Sequence, residues 1–336
     1  MAIAPPAGMY GSAPRRVPAV EVLGRVGIWS SELRLGDAGA LADQVAELES
    51  LGYDAVWLPG RQGNVFKVAG RYLGATDRLA VATGIVSIWE YDAATVARAA
   101  VNLEGPHGGR FVLGLGVSHA PLVNAGSAPS DAGGPYQHPM AHMTEYLDRL
   151  DDQLAIAGGE STATATAAAT TTTDHGAGMP AVPKVVAALG PRMLDLAGSR
   201  TTGTHPYLVP PEHTAVARQR LGAEPVVAPC QTVTLADGDE AKALLRQELA
   251  IYLGFPNYVD NWRRFGITDD DLADGGSDRL LRLLFAWGSE AAVARRVRAH
   301  RQAGADHVCI KVLGGGGPAG GTPMEEWRRL APVLAS

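Results

Sequence analysis

Four times in its first 116 residues the chain passes from a short apolar run to an amphipathic stretch, at intervals of about 25–30 residues. The runs are Leu23–Trp29, Tyr53–Leu58, Leu79–Val86 and Phe111–Leu115. They are almost continuously apolar, as strands are when both faces of a parallel sheet are covered. Between them the spacing predicts helices. The first opens at Asp37 as N-cap, carries Leu41, Val45 and Leu48 on one face, and stops at Gly52. The second runs from about Asn64 to Gly74. The third is capped by Asp92 and turns Val96, Ala100 and Leu103 inward. Such alternation excludes all-α and all-β architectures and specifies a parallel sheet with helical crossovers. It continues through Lys184–Leu189, Gly203–Val209, a strand within Pro225–Leu235, and Asp306–Leu313. Helices are predicted to open at Pro191, Pro210 and Asp237, to span Asp278–Trp287 and Ser289–Ala303, and to close the chain from Pro323. Eight strands with intervening helices read as a (β/α)8 TIM barrel with insertions, a single α/β domain over residues 21–336.

Three stretches break the pattern. Residues 1–20, rich in Ala, Pro and Gly, are expected to form a flexible arm. A long loop, Pro121–Pro139, precedes a helix from Pro139 to about Ala157. The insert 158–183 is a low-complexity run of Ala, Thr and Ser whose ordering gains little against chain entropy, so mobility is expected; a substrate lid is the alternative. An excursion at 255–276 carries aromatics and an acidic turn, Asp269–Asp271, read as a helix cap or solvated turn rather than a calcium loop. A net charge of −6 argues against a nucleic-acid partner. No apolar run approaches the ~20 residues that cross a membrane. The only cysteines, Cys230 and Cys309, are far apart in sequence and form no metal cluster or disulfide framework, so a reducing cytoplasm is expected.

The segment Gly109–His119 (GRFVLGLGVSH) reads as a buried strand entering a glycine turn that delivers Ser118 and His119 to the carboxyl end of the sheet, where parallel α/β folds place their chemistry. Read alone, its glycines could equally form a plain connection. Lys311 lies near the active end of the eighth strand and faces either the pocket or the helical layer. The glycine run Gly314–Gly321 follows that strand, where barrels often hold phosphate.

The chain resembles the bacterial luciferase-like superfamily, and within it the actinobacterial branch that uses the deazaflavin coenzyme F420. The resemblance rests on Gly24–Trp29, Gly52–Leu58, Ala82–Ile85, Gly109–His119, Glu145–Asp148, Ala187–Leu194 (AALGPRML), Thr204–Leu208 (THPYL), Pro256–Tyr258 and Ala303–Val308, in order along the chain. It implies a luciferase-like TIM barrel, hydride transfer between coenzyme F420 and a small organic substrate, no metal, and a homodimer. It also implies a non-prolyl cis bond after strand three to prop the coenzyme ring, placed here at Ser87-Ile88-Trp89. For the coenzyme phosphate two turns qualify, Gly116-Val117-Ser118 and Gly190-Pro191-Arg192, the second opening a helix. Trp29, Trp89 and Tyr207 are expected to wall the pocket, or equally to be plain core.

Several relatives carry an Asp-His pair after strand two, where this chain has Pro59-Gly60-Arg61. The candidates for proton handling are then His119, His205 and Glu90; either histidine could equally be a structural one, and Glu90 a surface residue. Two other readings share the fold: an FMN-dependent monooxygenase, and a non-catalytic barrel serving as a binding subunit. The intact glycine turns after strands four and five argue against the latter.

Overall fold

A computed structural model describes residues 19–61, 63–125, 136–168, 182–315 and 321–334. Eleven strands form one sheet: β1 Val26–Trp29, β2 Ala55–Leu58, β3 Ala80–Thr83, β4 Val86–Ser87, β5 Phe111–Gly116, β6 Lys184–Val186, β7 Gly203–Thr204, β8 Val226–Val227, β9 Cys230–Thr234, β10 Ala286–Trp287 and β11 Val308–Val312. Every pairing is parallel. The order is β10-β9-β11-β1-β2-β3-β5-β6-β7-β8, with β4 on β5. Pro229 separates β8 from β9 because it has no N–H to give a ladder. The chain nevertheless bridges the gap. Ala228 and Cys230 donate to the Thr204 and Pro206 carbonyls at 2.9 and 2.8 Å, and Cys309 donates to Pro229 at 2.9 Å. Those bonds join the two ends of the sheet, and the fold is a TIM barrel.

Side chains alternate across each strand. Val56 and Leu58 face the helices, while Ala55 and Trp57 face the barrel interior. That interior is built mostly from small groups (Ala80, Ala82, Ala228, Cys230, Cys309) around the fully buried Trp57. Cys230 and Cys309, distant in sequence, are directly opposed on adjacent strands, and both are free thiols. The predicted caps are in place. Asp37 accepts from Gly39 and Ala40, Asn64 from Lys67, and Asp92 from Thr95.

Four expectations are corrected. Leu23 belongs to a helix, Ala19–Leu23, not to strand one. Gly24 at φ +60° turns the chain between them, and Asp54, whose carboxylate accepts from the Arg25 and Val26 amides at 2.7 and 3.0 Å, packs where a Gly24 side chain would stand. The segment Asp278–Trp287 is not all helix: it ends at Leu284, Phe285 is extended, and Ala286–Trp287 pair with Val233–Thr234. Pro121–Pro139 is not all loop, since a helix spans Ala120–Ala125. The helix from Pro139 runs on to Ala168, into the insert. The rest of that insert to residue 181, the arm up to residue 18, and glycines 316–317 and 320 lie outside the described residues. Asp269–Asp271 form the first turn of a short helix, with Thr268 and Asp271 in a capping box, as one of the two readings expected.

Candidate functional site

A cavity opens at the carboxyl ends of the strands. β5 delivers one wall through Gly116, Val117, Ser118 and His119, with Ser118 held at φ +54°. Trp29 at the end of β1 donates its indole N–H to the Gly84 carbonyl at 2.7 Å. The cis peptide bond lies at Gly84–Ile85, directly after β3 and three residues before its expected place. The strand stops at Thr83, whereas its apolar run continues to Val86. Gly116 gives Ile85 room: a Cβ there would sit 2.6 Å from Ile85 Cδ1.

His205 follows β7 and is buried, its ring stacked on Trp57 at 3.9 Å and 6°. Its Nδ1 lies 2.8 Å from the Ala228 carbonyl, an oxygen that can only accept, so Nδ1 carries the proton and Nε2 is left as an acceptor. Burial lowers its pKa to about 3. His119 stacks on Phe255 at 4.1 Å. Burial likewise lowers its pKa to about 4, against a hydrogen bond with Asn257 that raises it, while Arg61 opposes protonation. Its Nδ1 is buried without a hydrogen-bond partner. Both imidazoles are therefore neutral at pH 7.

Of the residues singled out in the sequence, Trp29, Gly116, Val117, Ser118, His119, His205 and Tyr207 line the cavity. Other candidates fall elsewhere. β4 pairs with β5 and carries the chain into the helical layer, so Ser87, Ile88 and Trp89 are buried away from the cavity, with Trp89 stacked on His142. Glu90 lies outside the cavity, ion-paired with Arg61 at 3.8 Å. Gly190 and Pro191 open the helix Pro191–Arg200 next to the cavity-lining Leu189, but Arg192 is exposed. The sequence reading did not single out Ile85, Tyr252, Asn257 or Tyr258 as site residues. Pro256–Tyr258 was a matched motif in an aromatic excursion, which was the available signal.

Beneath the aromatic wall lies a polar network. The Tyr207 hydroxyl donates to Glu248 Oε1 at 2.5 Å and accepts from Thr232 Oγ1 at 3.1 Å. Lys311 Nζ pairs with Glu248 Oε1 at 2.6 Å, stands 3.4 Å from the Tyr207 oxygen, and lies 4.8 Å above the Trp29 ring. Lys311 thus faces the pocket side of β11 rather than the helical layer. Burial, with Glu248 adding to it, pushes the Tyr207 phenol well above its ordinary pKa, so it is a neutral hydroxyl. Among the described residues no Asp, Glu, Lys or Arg lines the cavity itself, and no cluster of three or more His, Cys, Asp or Glu could hold a metal ion.

A family model described as luciferase-like monooxygenase matches residues 21–307. A Mycobacterium tuberculosis protein assigned as a coenzyme F420-dependent oxidoreductase is 25% identical over 273 residues, 70% of this chain and 77% of that one. The 5,10-methylenetetrahydromethanopterin reductase of Methanolobus tindarius is 26% identical over 242 residues, 68% and 71% of the two chains. Among solved structures, the coenzyme F420-dependent tetrahydromethanopterin reductase of Methanopyrus kandleri superposes with a TM-score of 0.66 at 15% identity, covering 92% of this chain and 98% of that one. The FMN-bound oxygenating constituent of 3,6-diketocamphane monooxygenase from Pseudomonas putida gives 0.59 at 17% identity, covering 93% and 97%.

Proposed function

Because the chain belongs to the luciferase-like monooxygenase family, we propose that it is an oxidoreductase passing a hydride between deazaflavin coenzyme F420 and a small, uncharged organic substrate. The observation that carries this reading is the cavity: it sits at the carboxyl ends of the strands, is walled by Trp29, Ile85, Tyr252 and Tyr258, and has no charged lining side chain. A flat tricyclic ring suits such an aromatic-walled slot, and the group would supply its own two-electron chemistry when bound. The two curated relatives, at 25% and 26% identity, point to the same coenzyme or reaction class.

The chain's part is orientation and proton handling. The Gly116–Ser118 turn and the helix start at Gly190-Pro191-Arg192, through the Gly190 and Arg192 amides, would supply backbone N–H groups for the coenzyme phosphate. Ile85, which lines the cavity, would support one face of the ring. Neutral His205 offers Nε2 as an acceptor and so positions a ring N–H or a substrate hydroxyl; it is not a cationic acid. The aromatic lining excludes water and favours a neutral, apolar substrate. The reading in which FMN replaces F420, giving a monooxygenase, draws support from the FMN-bound structural neighbour.

Titration of the purified protein with F420 and, separately, with FMN, followed by ligand fluorescence, tests this. Binding of F420 with FMN at least tenfold weaker is the expected result. A preference for FMN moves the reading to the monooxygenase. Binding of neither overturns both.

A further inference from the structure

We propose that the face of the barrel opposite the cavity carries a binding site for a diphosphate group, held by the guanidinium groups of Arg25, Arg298 and Arg301. A second pocket opens there, at the amino ends of the strands. Its lining comes from three places. Gly24 and Arg25 stand just before β1, and Ala305 and Asp306 just before β11; Arg298, Arg301 and Gln302 come from the end of the helix Glu290–Gln302. TIM barrels place their chemistry on the other face, so hydride transfer gives these arginines no task.

Charge sets the pocket apart. Among the described residues, none of the three guanidinium groups has an ion-pair partner. The acids that border the pocket are already committed. Asp306 pairs with Arg218 and accepts the Val227 amide at 2.8 Å. Asp54, packed against Gly24, accepts the Arg25 and Val26 amides. Residues 1–18 contain Arg15 and Arg16 but no Asp or Glu. Arg298 and Arg301 stand three apart on one helix, which makes them surface neighbours of like charge. The negative end of the helix dipole offsets Arg301 in the last turn. It does not account for Arg298, or for Arg25 arriving from another element. A polyanion seated among the three relieves the repulsion and ties the start of β1 to the end of the helix.

The donors specify the ligand. Backbone N–H groups at the pocket are spent: Ala305 donates to the His300 carbonyl and Asp306 to that of Val227, each at 3.0 Å. Recognition therefore falls to the guanidinium forks, with the Gln302 amide beside them. One fork takes two oxygens of a carboxylate or phosphate. A single carboxylate offers two oxygens and one charge, enough for one arginine. Forks supplied by two elements, with three charges among them, match the several oxygens and higher charge of a diphosphate.

Isothermal titration of the full chain with inorganic pyrophosphate, ADP and citrate at constant ionic strength tests this. Pyrophosphate is expected to bind with a Kd below about 1 mM at ~0.15 M salt, and more weakly as salt is raised. Comparable binding of ADP assigns the site to a nucleotide, and much weaker binding of ADP to the free anion; either supports the site. Arg298→Gln/Arg301→Gln and, separately, Arg25→Gln are each expected to weaken pyrophosphate binding at least tenfold. Arg98→Gln, exposed on the helix Ala93–Glu104, should change it less than twofold. Saturating F420 should leave it unchanged, because the two sites lie at opposite ends of the barrel. Absence of pyrophosphate binding, wild-type affinity in the arginine variants, an equal loss in Arg98→Gln, displacement by F420, or citrate binding as tightly as pyrophosphate would each overturn the proposal. Failure of F420 itself to bind strikes the hydride-transfer reading alone, since the arginine variants decide this site without it.

Discussion

Glu104 is the last residue of the helix Ala93–Glu104, and it is buried, at 2% exposure. One carboxylate oxygen accepts the Phe111 amide at the start of β5; the other, Oε2, is buried without a partner. Burial raises its pKa from 4.5 to about 7, the single backbone bond only partly opposing that. A carboxyl whose folded pKa is raised holds its proton more tightly in the native state. Its favourable contribution is complete below the unfolded pKa of 4.5 and is lost as pH rises through 7. At 1.36 kcal/mol per pKa unit the loss amounts to about 3 kcal/mol once pH is well above 7. Glu104→Gln keeps the shape and the carbonyl acceptor but cannot ionise. The variant and the natural chain should therefore be equally stable near pH 4.5. They should diverge as pH rises, until the variant is about 2–3 kcal/mol the more stable at pH 8.5. Urea unfolding at both pH values measures this, and because every other titratable group is common to both proteins, the difference isolates Glu104. A stability difference that does not grow between pH 5 and 8.5 would refute the burial argument.

Three further outcomes follow from the site. Lys311→Met leaves the largely buried Glu248 without its cation, holding only the Tyr207 hydroxyl, so it should lower stability by about 3 kcal/mol, with Lys311→Met/Glu248→Leu recovering much of that; additive losses in denaturant melts would sink the pairing. Coenzyme affinity should stay flat between pH 5.5 and 8, because His119 and His205 have pKa values near 4 and 3 and are already neutral; a fluorescence titration showing a step at pH 6–7 would mean one imidazole is charged in the site. Gly116→Val places branched carbon where Ile85 already lies within 2.6 Å of a Cβ position, so it should weaken F420 binding at least tenfold; wild-type affinity would show that Ile85 yields without consequence.

The barrel was readable because its strands are covered on both faces, which writes them as apolar runs, and because Asp37, Asn64 and Asp92 cap the following helices locally. The errors occur where local pattern underdetermines structure. Leu23 extends an apolar run, and only the turn at Gly24 separates helix from strand. Ala286–Trp287 is a two-residue strand that exists through its partner Val233–Thr234, and nothing in its own sequence distinguishes it from a helix end. The cavity residues next to β5 and β7 were visible from their place after glycine and before proline. The partnership of Lys311 with Glu248, 63 residues apart, was not, since one glutamate on a charged helix looks like any other. The opposition of Cys230 and Cys309 likewise depends on strand register, which composition does not encode.

Trp57 has a consequence beyond packing. Its indole lies fully buried among Ala55, Ala80, Ala82 and Ala228, with His205 stacked flat upon it. Leu23 and the valines Val112, Val185 and Val226 share this interior cluster, and Trp57 is its largest buried side chain, directly beneath His205. Shortening that one residue would sink the floor, and lengthening the alanines around it would not raise the floor without a clash. The depth available beneath His205 is thus set from the second strand, by a side chain that does not itself line the cavity.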